Sequence, residues 1–303
     1  MPMNRSFNPK QLQEGLNTVF GLEYKQHPEE WRQVFEVQSS KKAFEEDVLM
    51  TGFSTAVNKT EGSSVTYDQA VEAWTARYNH ETVALAFSIT EEDIEDNLYM
   101  SKGAKFSKAL ARSMQNTKEM KAAAVLNNAF SGSYVGGDGV SLLNANHPLV
   151  GGGVFSNVLA TPADLSESAI EDLLIQIRRA VDDRSLPISL MPKNIIISPE
   201  EEYNASRILR STMRSGTADN DINAIRSKGI FTKDPILLTR LTDPDAWYIN
   251  TDSPEGLKHF VRRGITKKFD QEFNTQNHRY LCSERYSNGW TDPRGLYGSA
   301  GSA

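Results

Sequence analysis

The 303-residue sequence predicts an α+β fold. Three observations lead there. Val83, Leu85, Phe87 and Ile89 alternate with Thr82, Ala84, Ala86 and Ser88, which is the period of a half-buried strand. Phe106, Leu110, Met114, Thr117, Met120 and Ala124 then carry one apolar stripe over several helical turns. Beyond that helix, strands and helices follow in mixed order, without the regular alternation of a doubly wound sheet.

The composition supports a real core: 39% of residues are hydrophobic, and the length suits one large or two ordinary domains. With 33 Lys and Arg against 39 Asp and Glu the formal charge is -6, which argues against a dedicated nucleic-acid binder. The longest apolar runs, Ile195–Ile197 and Val83–Phe87, fall far short of the roughly 20 residues that span a bilayer. No membrane partner is expected. Met1-Pro-Met-Asn-Arg lacks the apolar core of a secretory signal, so synthesis in the cytoplasm is expected. The single cysteine, Cys282, excludes an internal disulfide and a thiolate zinc cluster, and reads as a small buried hydrophobe in a strand.

Residues 1–50 are polar and charged, with anchors at Phe20, Trp31, Phe35, Phe44 and Leu49 but no sustained period. They read as an extended arm that takes its order from elsewhere. Thr51–Ser64 is rich in small and polar residues, as expected of a mobile loop. Val65 and Tyr67 then alternate, as do Trp74, Ala76 and Tyr78 ahead of the run to Ile89, so residues 53–89 are expected to form one long hairpin or ribbon. A two-stranded ribbon is marginal alone in water, so this one needs a second surface, for which another copy of the chain is a candidate.

Thr90-Glu91-Glu92-Asp93 has the form of a helix start, with an acceptor at the cap and acidic residues over the positive end of the dipole. Gly103 interrupts the helical run between Met100 and Phe106 and is a hinge candidate at the entry of the long helix. Asn127-Asn128 and Gly132 end that helix. Its outer face is basic (Lys102, Lys105, Lys108, Arg112, Lys118, Lys121) and its approach acidic (Glu91, Glu92, Asp93, Glu95, Asp96). Two readings stand: a solvated face, or a charge-complementary contact with a neighbour. Residues 131–163 are a Gly-, Ser- and Asn-rich connection of unusual length. Asp164 or Ser166 caps a second helix through Val181. A buried strand at Asn194–Ile197 and a third helix from Pro199 to Leu209 follow. The remaining strands are expected at 236–238, 246–249, 257–261, 266–269 and 279–286, with Asn288-Gly289 as a tight hairpin turn.

No catalytic signature is present. There is no G-x-S-x-G elbow, no H-E-x-x-H and no Walker loop, and Gly136–Gly139 lacks the spacing of a dinucleotide fingerprint. His27, His80, His147, His259 and His278 stand singly, with no pair at i, i+4. Asp219, Asp221 and Asn223 match the first ligands of a calcium loop, but Ala224 replaces the turn glycine and Ile230 the bidentate glutamate. An acidic loop entering a short helical turn at Ile222–Arg226 is the better reading. Asp243 and Asp245 around Pro244 read as a turn. No catalytic, cofactor-binding or metal-ligating residue is assigned, and the chain is read as not an enzyme.

Several segments, taken in order, resemble the major capsid proteins of tailed bacteriophages, in particular the group of the Mu-like head subunits. They are Ala122–Phe130, Asp138–Pro148, Leu165–Ala169, Pro192–Pro199, Asn220–Asn223, Leu241–Trp247 and Asp292–Gly298. The likeness runs from about residue 85 onward; no single segment is diagnostic, and the order and spacing carry it.

The resemblance implies the Hong Kong 97-like capsid fold. In this sequence that means an N-terminal arm at 1–50, an E-loop ribbon at 51–90 and a peripheral domain with a long spine helix at 91–164. An axial domain would follow at 165–255, and 256–303 would return to the peripheral domain and a C-terminal tail. It implies a structural subunit that self-assembles, as hexamers and pentamers, into an icosahedral shell around double-stranded DNA. The implied partners are copies of itself, a separate scaffolding protein, a portal and decoration proteins, with DNA contacted non-specifically. Its place is the virion, after assembly in the bacterial host cytoplasm. Trp31, Phe35, Lys59, Glu61, Tyr67, Trp74 and Tyr78 are the candidate inter-subunit contacts. Lys59 lies near the expected ribbon tip, but no partner for a Lys–Asn cross-link is matched. Two rivals are a bacterial encapsulating nanocompartment, which shares the fold, and an enzyme with an unrecognised site.

Overall fold

The computed structural model describes residues 9–90, 92–93, 99–213, 221–231, 233–272, 274 and 276–302. Helix α1 (Pro9–Gln26) has proline at its first position, where the missing N–H costs nothing. Leu16, Phe20 and Glu23 share one side at helical spacing and are buried. An 18-residue helix thus stands where an aperiodic arm is expected, because only a narrow stripe among polar flanks marks it. A 3-10 turn at Trp31–Gln33 then places Trp31, Val34 and Phe35 in the interior.

The next four strands redraw the expected ribbon, whose first strand comes from the expected arm. β1 (Glu36–Ser39) enters a sheet in the body, while β2 (Phe44–Met50) and β3 (Glu72–Asn79) pair antiparallel as the ribbon itself. β4 (Glu81–Ile89) belongs to the sheet of β1, so the expected single hairpin over 53–89 is corrected: its second half is body. Val65 and Tyr67 alternate like a strand but pair with no strand among the described residues.

Thr90 accepts from the Asp93 amide at 3.3 Å, and Glu92 and Asp93 are helical, in line with a cap at Thr90. Glu91, Glu95 and Asp96 lie outside the described residues. α2 (Tyr99–Asn127) is the spine helix, 29 residues without interruption. Gly103 is therefore not a break. It is buried inside the helix, and a Cβ there would meet the Ile89 Cδ1 at 3.2 Å and the Leu16 Cδ2 at 3.4 Å, so the missing side chain permits close packing of α1 and β4.

Within 131–163 a short hairpin, β5 (His147–Pro148) and β6 (Val154–Phe155), is fixed from within. Asn157 donates to the carbonyls of Leu142, Pro293 and Leu296 and accepts from the Asn144 amide. α3 (Glu167–Arg178) starts at Ser166, whose hydroxyl accepts from the Ala169 amide at 3.3 Å. β7 (Pro192–Ile197), α4 (Glu202–Arg210) and α5 (Ala224–Ser227) follow, the last capped by Asn223. Asp219 and Asn220 lie outside the described residues. The chain closes with β8 (Ile236–Leu237), β9 (Trp247–Thr251), β10 (Leu257–Gln271), β11 (His278–Trp290) and β12 (Leu296–Ser299).

Two four-stranded sheets result, ordered β1-β10-β11-β4 and β12-β9-β7-β8. α1 and α2 cover one face of the first sheet through Leu16, Phe20, Leu110, Met114 and Tyr280. The expected strands at 257–261 and 266–269 are one strand, irregular between Val261 and Thr266. Asn288 and Gly289 are not a turn: they lie inside β11, opposite His259 and Lys258. Gly289 is required by close approach, since a Cβ would stand 2.8 Å from the Tyr78 ring. The C-terminal strand β12 joins the second sheet, pairing antiparallel with β9. A single cluster containing Trp31, Leu126, Ile196, Tyr248 and Leu296 links both halves.

Candidate assembly surfaces

The ribbon is rooted by polar and aromatic contacts on the outer face of the first sheet. The Lys258 ammonium is buried and paired with Asp47 of β2 and with Glu255; burial pulls its pKa down, but the two carboxylates outweigh this and the net shift is upward. Asp47 also accepts from the Thr291 hydroxyl, which lies 2.6 Å from the Tyr78 hydroxyl. The Tyr78 ring meets Phe260 edge to face at 4.7 Å. His80 bridges Ser40 and Ser287 at 2.9 and 3.0 Å, tying the exit of β3 to both arm and sheet.

Farther out the ribbon holds onto the chain at one more place. The Arg184 Nη1 donates to both Asp68 oxygens at 3.1 and 2.9 Å and its Nη2 to the Gln69 carbonyl, and Asp68 accepts from the Ser54 amide and hydroxyl. Those Ser54 bonds first, and then Arg184, hold the Asp68 carboxyl well below the usual carboxylate range. Beyond this clasp residues 55–67 make no hydrogen bond to any other segment among the described residues, and every residue from 52 to 72 is exposed. Phe53, Val57, Val65, Tyr67 and Val71 are among them, with Tyr67 93% exposed. Five exposed apolar side chains on one loop make it a candidate contact surface.

The candidate contacts divide accordingly. Lys59, Glu61 and Tyr67 lie on the exposed loop, and Trp74 is half-buried at its base. Trp31 at 2% exposure, Phe35 and Tyr78 are corrected: their rings are inside the chain's own core and have no surface to offer a neighbour. Trp31 packs against His259 with ring centroids 4.1 Å apart and planes tilted by 37°, a partner more than two hundred residues away that no local pattern reveals. Most of the basic stripe on α2 is also engaged internally: Lys102 with Asp93, Arg112 with Glu23, Lys118 with Glu284 and Lys121 with Glu81.

Two buried carboxylates missed by the sequence reading fasten arm and sheet to the spine. Glu284 of β11 pairs with Lys118 at 2.6 Å, and Lys118 also donates to the Tyr24 hydroxyl of α1. Burial pushes the Glu284 pKa up against the opposing pull of Lys118. Glu119 accepts from the amides of Glu30 and Trp31 at 2.9 and 3.0 Å, capping the 3-10 turn beside a cleft of about 320 Å³. Burial raises its pKa to about 7. Neither could be found without knowing which segments meet. Cys282 is buried in β11, and burial pushes its thiol up to about 11. No group of His, Cys, Asp and Glu suited to a metal ion occurs among the described residues, and no helix there is long and apolar enough to cross a membrane.

A spine helix laid on one sheet, a second sheet holding the C-terminus, and an exposed ribbon rooted in the body define a shell-building subunit of the Hong Kong 97-like fold. The chain belongs to a phage capsid protein family, whose model matches residues 73–299, and it is a structural shell protein. Solved structures share the fold at low identity. A virus-like particle from Pyrococcus furiosus is 12% identical with a TM-score of 0.51, covering 94% of this chain and 98% of that one. The procapsid of bacteriophage JBD30 is 13% identical with a TM-score of 0.53, covering 97% and 75%. The holo-SrpI encapsulin complex from Synechococcus elongatus is 12% identical with a TM-score of 0.52, covering 91% of each. No curated protein matches the chain.

Proposed function

We propose that the chain is the major head subunit of a tailed phage, many copies of which close an icosahedral shell of hexamers and pentamers around double-stranded DNA. Support comes above all from the exposed ribbon loop, residues 52–72, which carries Phe53, Val57, Val65, Tyr67 and Val71 yet is anchored only at its base. Lys59, Glu61, Tyr67 and Trp74 are the side chains that would meet a neighbouring subunit. Many modest contacts suffice, because each closure makes the next contact effectively intramolecular. The net charge of -6 suits a wall that lines DNA without gripping it. Such a subunit would meet copies of itself first, then the scaffolding, portal and decoration proteins of the particle, during assembly in the bacterial cytoplasm.

Electron microscopy of the purified protein tests this. Closed shells are expected; a monodisperse monomer under all assembly conditions would sink the proposal. The likeness to an encapsulin keeps a cargo-holding nanocompartment as a second reading. Shells from the native source that contain DNA favour the phage head, and shells that contain a cargo enzyme and no DNA favour the compartment.

A further inference from the structure

We infer that β4 is an assembly edge, and that the ribbon loop of a second copy of this chain adds a strand to it through Ser63–Tyr67. The inference rests on the shell reading and names the surface that receives the ribbon. β4 is the end strand of its sheet, in order β1-β10-β11-β4. Its ladder to β11 runs without a register shift from Ile89 opposite His278 to Glu81 opposite Tyr286, so the strand is straight and its other edge is presented as a regular row. Among the described residues no backbone hydrogen bond reaches that edge. Nine residues give an edge of about 30 Å.

Soluble proteins blunt such edges with lysine, proline, bulges or a covering loop. The sequence of β4, ETVALAFSI, has no lysine, no proline and no bulge, and its only charge is at the first residue. The edge is therefore chemically prepared to be paired. Its apolar side is open as well: Leu85 and Phe106 are exposed, next to the half-buried Phe87, 5.8 Å from Phe106.

The ribbon supplies the missing strand. Val65 and Tyr67 alternate with Ser64 and Thr66 as a strand does, yet in the single chain this segment is exposed throughout and has no ladder. A segment with strand pattern and no sheet, and a sheet with a bare edge, complete each other's hydrogen bonding. Laid beside β4, Val65 and Tyr67 would continue the apolar side over Leu85 and Phe106, while Ser64 and Thr66 would continue the small polar side of Thr82 and Ala84. The clasp between Arg184 and Asp68 holds the base of the loop on its own subunit and leaves the segment beyond it to reach a neighbour.

Two variants test the backbone pairing. In an extended segment successive N–H groups point to opposite edges, so either Val65→Pro or Thr66→Pro must delete a ladder bond in any register. In at least one of them shell yield should fall tenfold or more, with the unfolding midpoint of the unassembled subunit unchanged in both. Normal shells from both variants would overturn the inference. Cross-linking locates the edge: Thr66→Cys is combined in turn with Thr82→Cys, Ala84→Cys, Ala86→Cys and Ser88→Cys, Cys282 being buried and silent. At least one pair should form inter-subunit disulfides in oxidised shells. Shells that form with no such link at any pair, as when an arm or another protein takes the edge, would refute the inference and leave the shell function standing. Failure of the native protein to form shells would instead remove the function reading beneath it.

Discussion

Replacing Lys118 by methionine should unfold the protein's spine contact while keeping the stem of the side chain. The Lys118 ammonium and the Glu284 carboxylate are 2.6 Å apart, with side chains 12% and 2% exposed. At an effective dielectric of about 20 the gross attraction is about 6 kcal/mol, most of which offsets the cost of taking two charges out of water. Removing only the cation leaves Glu284 buried without a counter-charge, and breaking a buried pair in this way costs about 3–5 kcal/mol. Lys118 also donates to Tyr24 and lies 6.0 Å from the Trp31 ring, so α1 and the arm should loosen together with the sheet. The assay is urea unfolding of the unassembled subunit at several pH values.

The sign of the pH effect follows from Glu284. Its folded pKa is already raised by burial and rises further once Lys118 is gone, so the protonated acid is the form the fold tolerates. That contribution is fully present below the unfolded value, about 4.5, and is lost as pH rises through the folded value. The deficit of Lys118→Met should therefore be largest near neutral pH and shrink on acidification. The double variant Lys118→Met with Glu284→Gln should recover much of the loss. A deficit below about 1 kcal/mol, or one that does not change with pH, would refute the reasoning.

Three further outcomes are expected. Gly289→Ala places a methyl group 2.8 Å from a Tyr78 ring held by Phe260 and Thr291, and should cost about 1–3 kcal/mol by overpacking, read as a lower urea midpoint. Glu119, with a folded pKa of about 7, favours folding most below about pH 4.5 and loses that contribution as pH rises through 7; Glu119→Gln should remove this slope, worth about 2 kcal/mol, together with one of its two amide bonds. Excision of Lys59–Ser63 with a Gly-Ser closure should leave subunit unfolding within about 0.6 kcal/mol of the parent while shell yield falls; normal shells would remove the ribbon from assembly.

The sequence by itself determined those elements whose cause is local. The stripe from Phe106 to Ala124 made α2, the alternation over 82–89 made β4, and Ser166 and Asn223 capped the helices after them, because period and cap chemistry act within one or two turns. It also set the ribbon loop apart, since small and polar residues in 51–64 cannot form a core. Tertiary structure alone decided which aromatics were surface and which were core. Trp31, Phe35 and Tyr78 look as free as Tyr67 in the sequence, but His259, Phe260 and the spine helix close over them from distant parts of the chain. Gly103 and Gly289 read as a hinge and a turn, yet Gly103 packs tightly against Ile89 and Leu16, and at Gly289 the Tyr78 ring approaches too closely for a Cβ. Burial and close approach are properties of chain segments brought together, and neither pattern nor propensity along one segment contains the identity of the other.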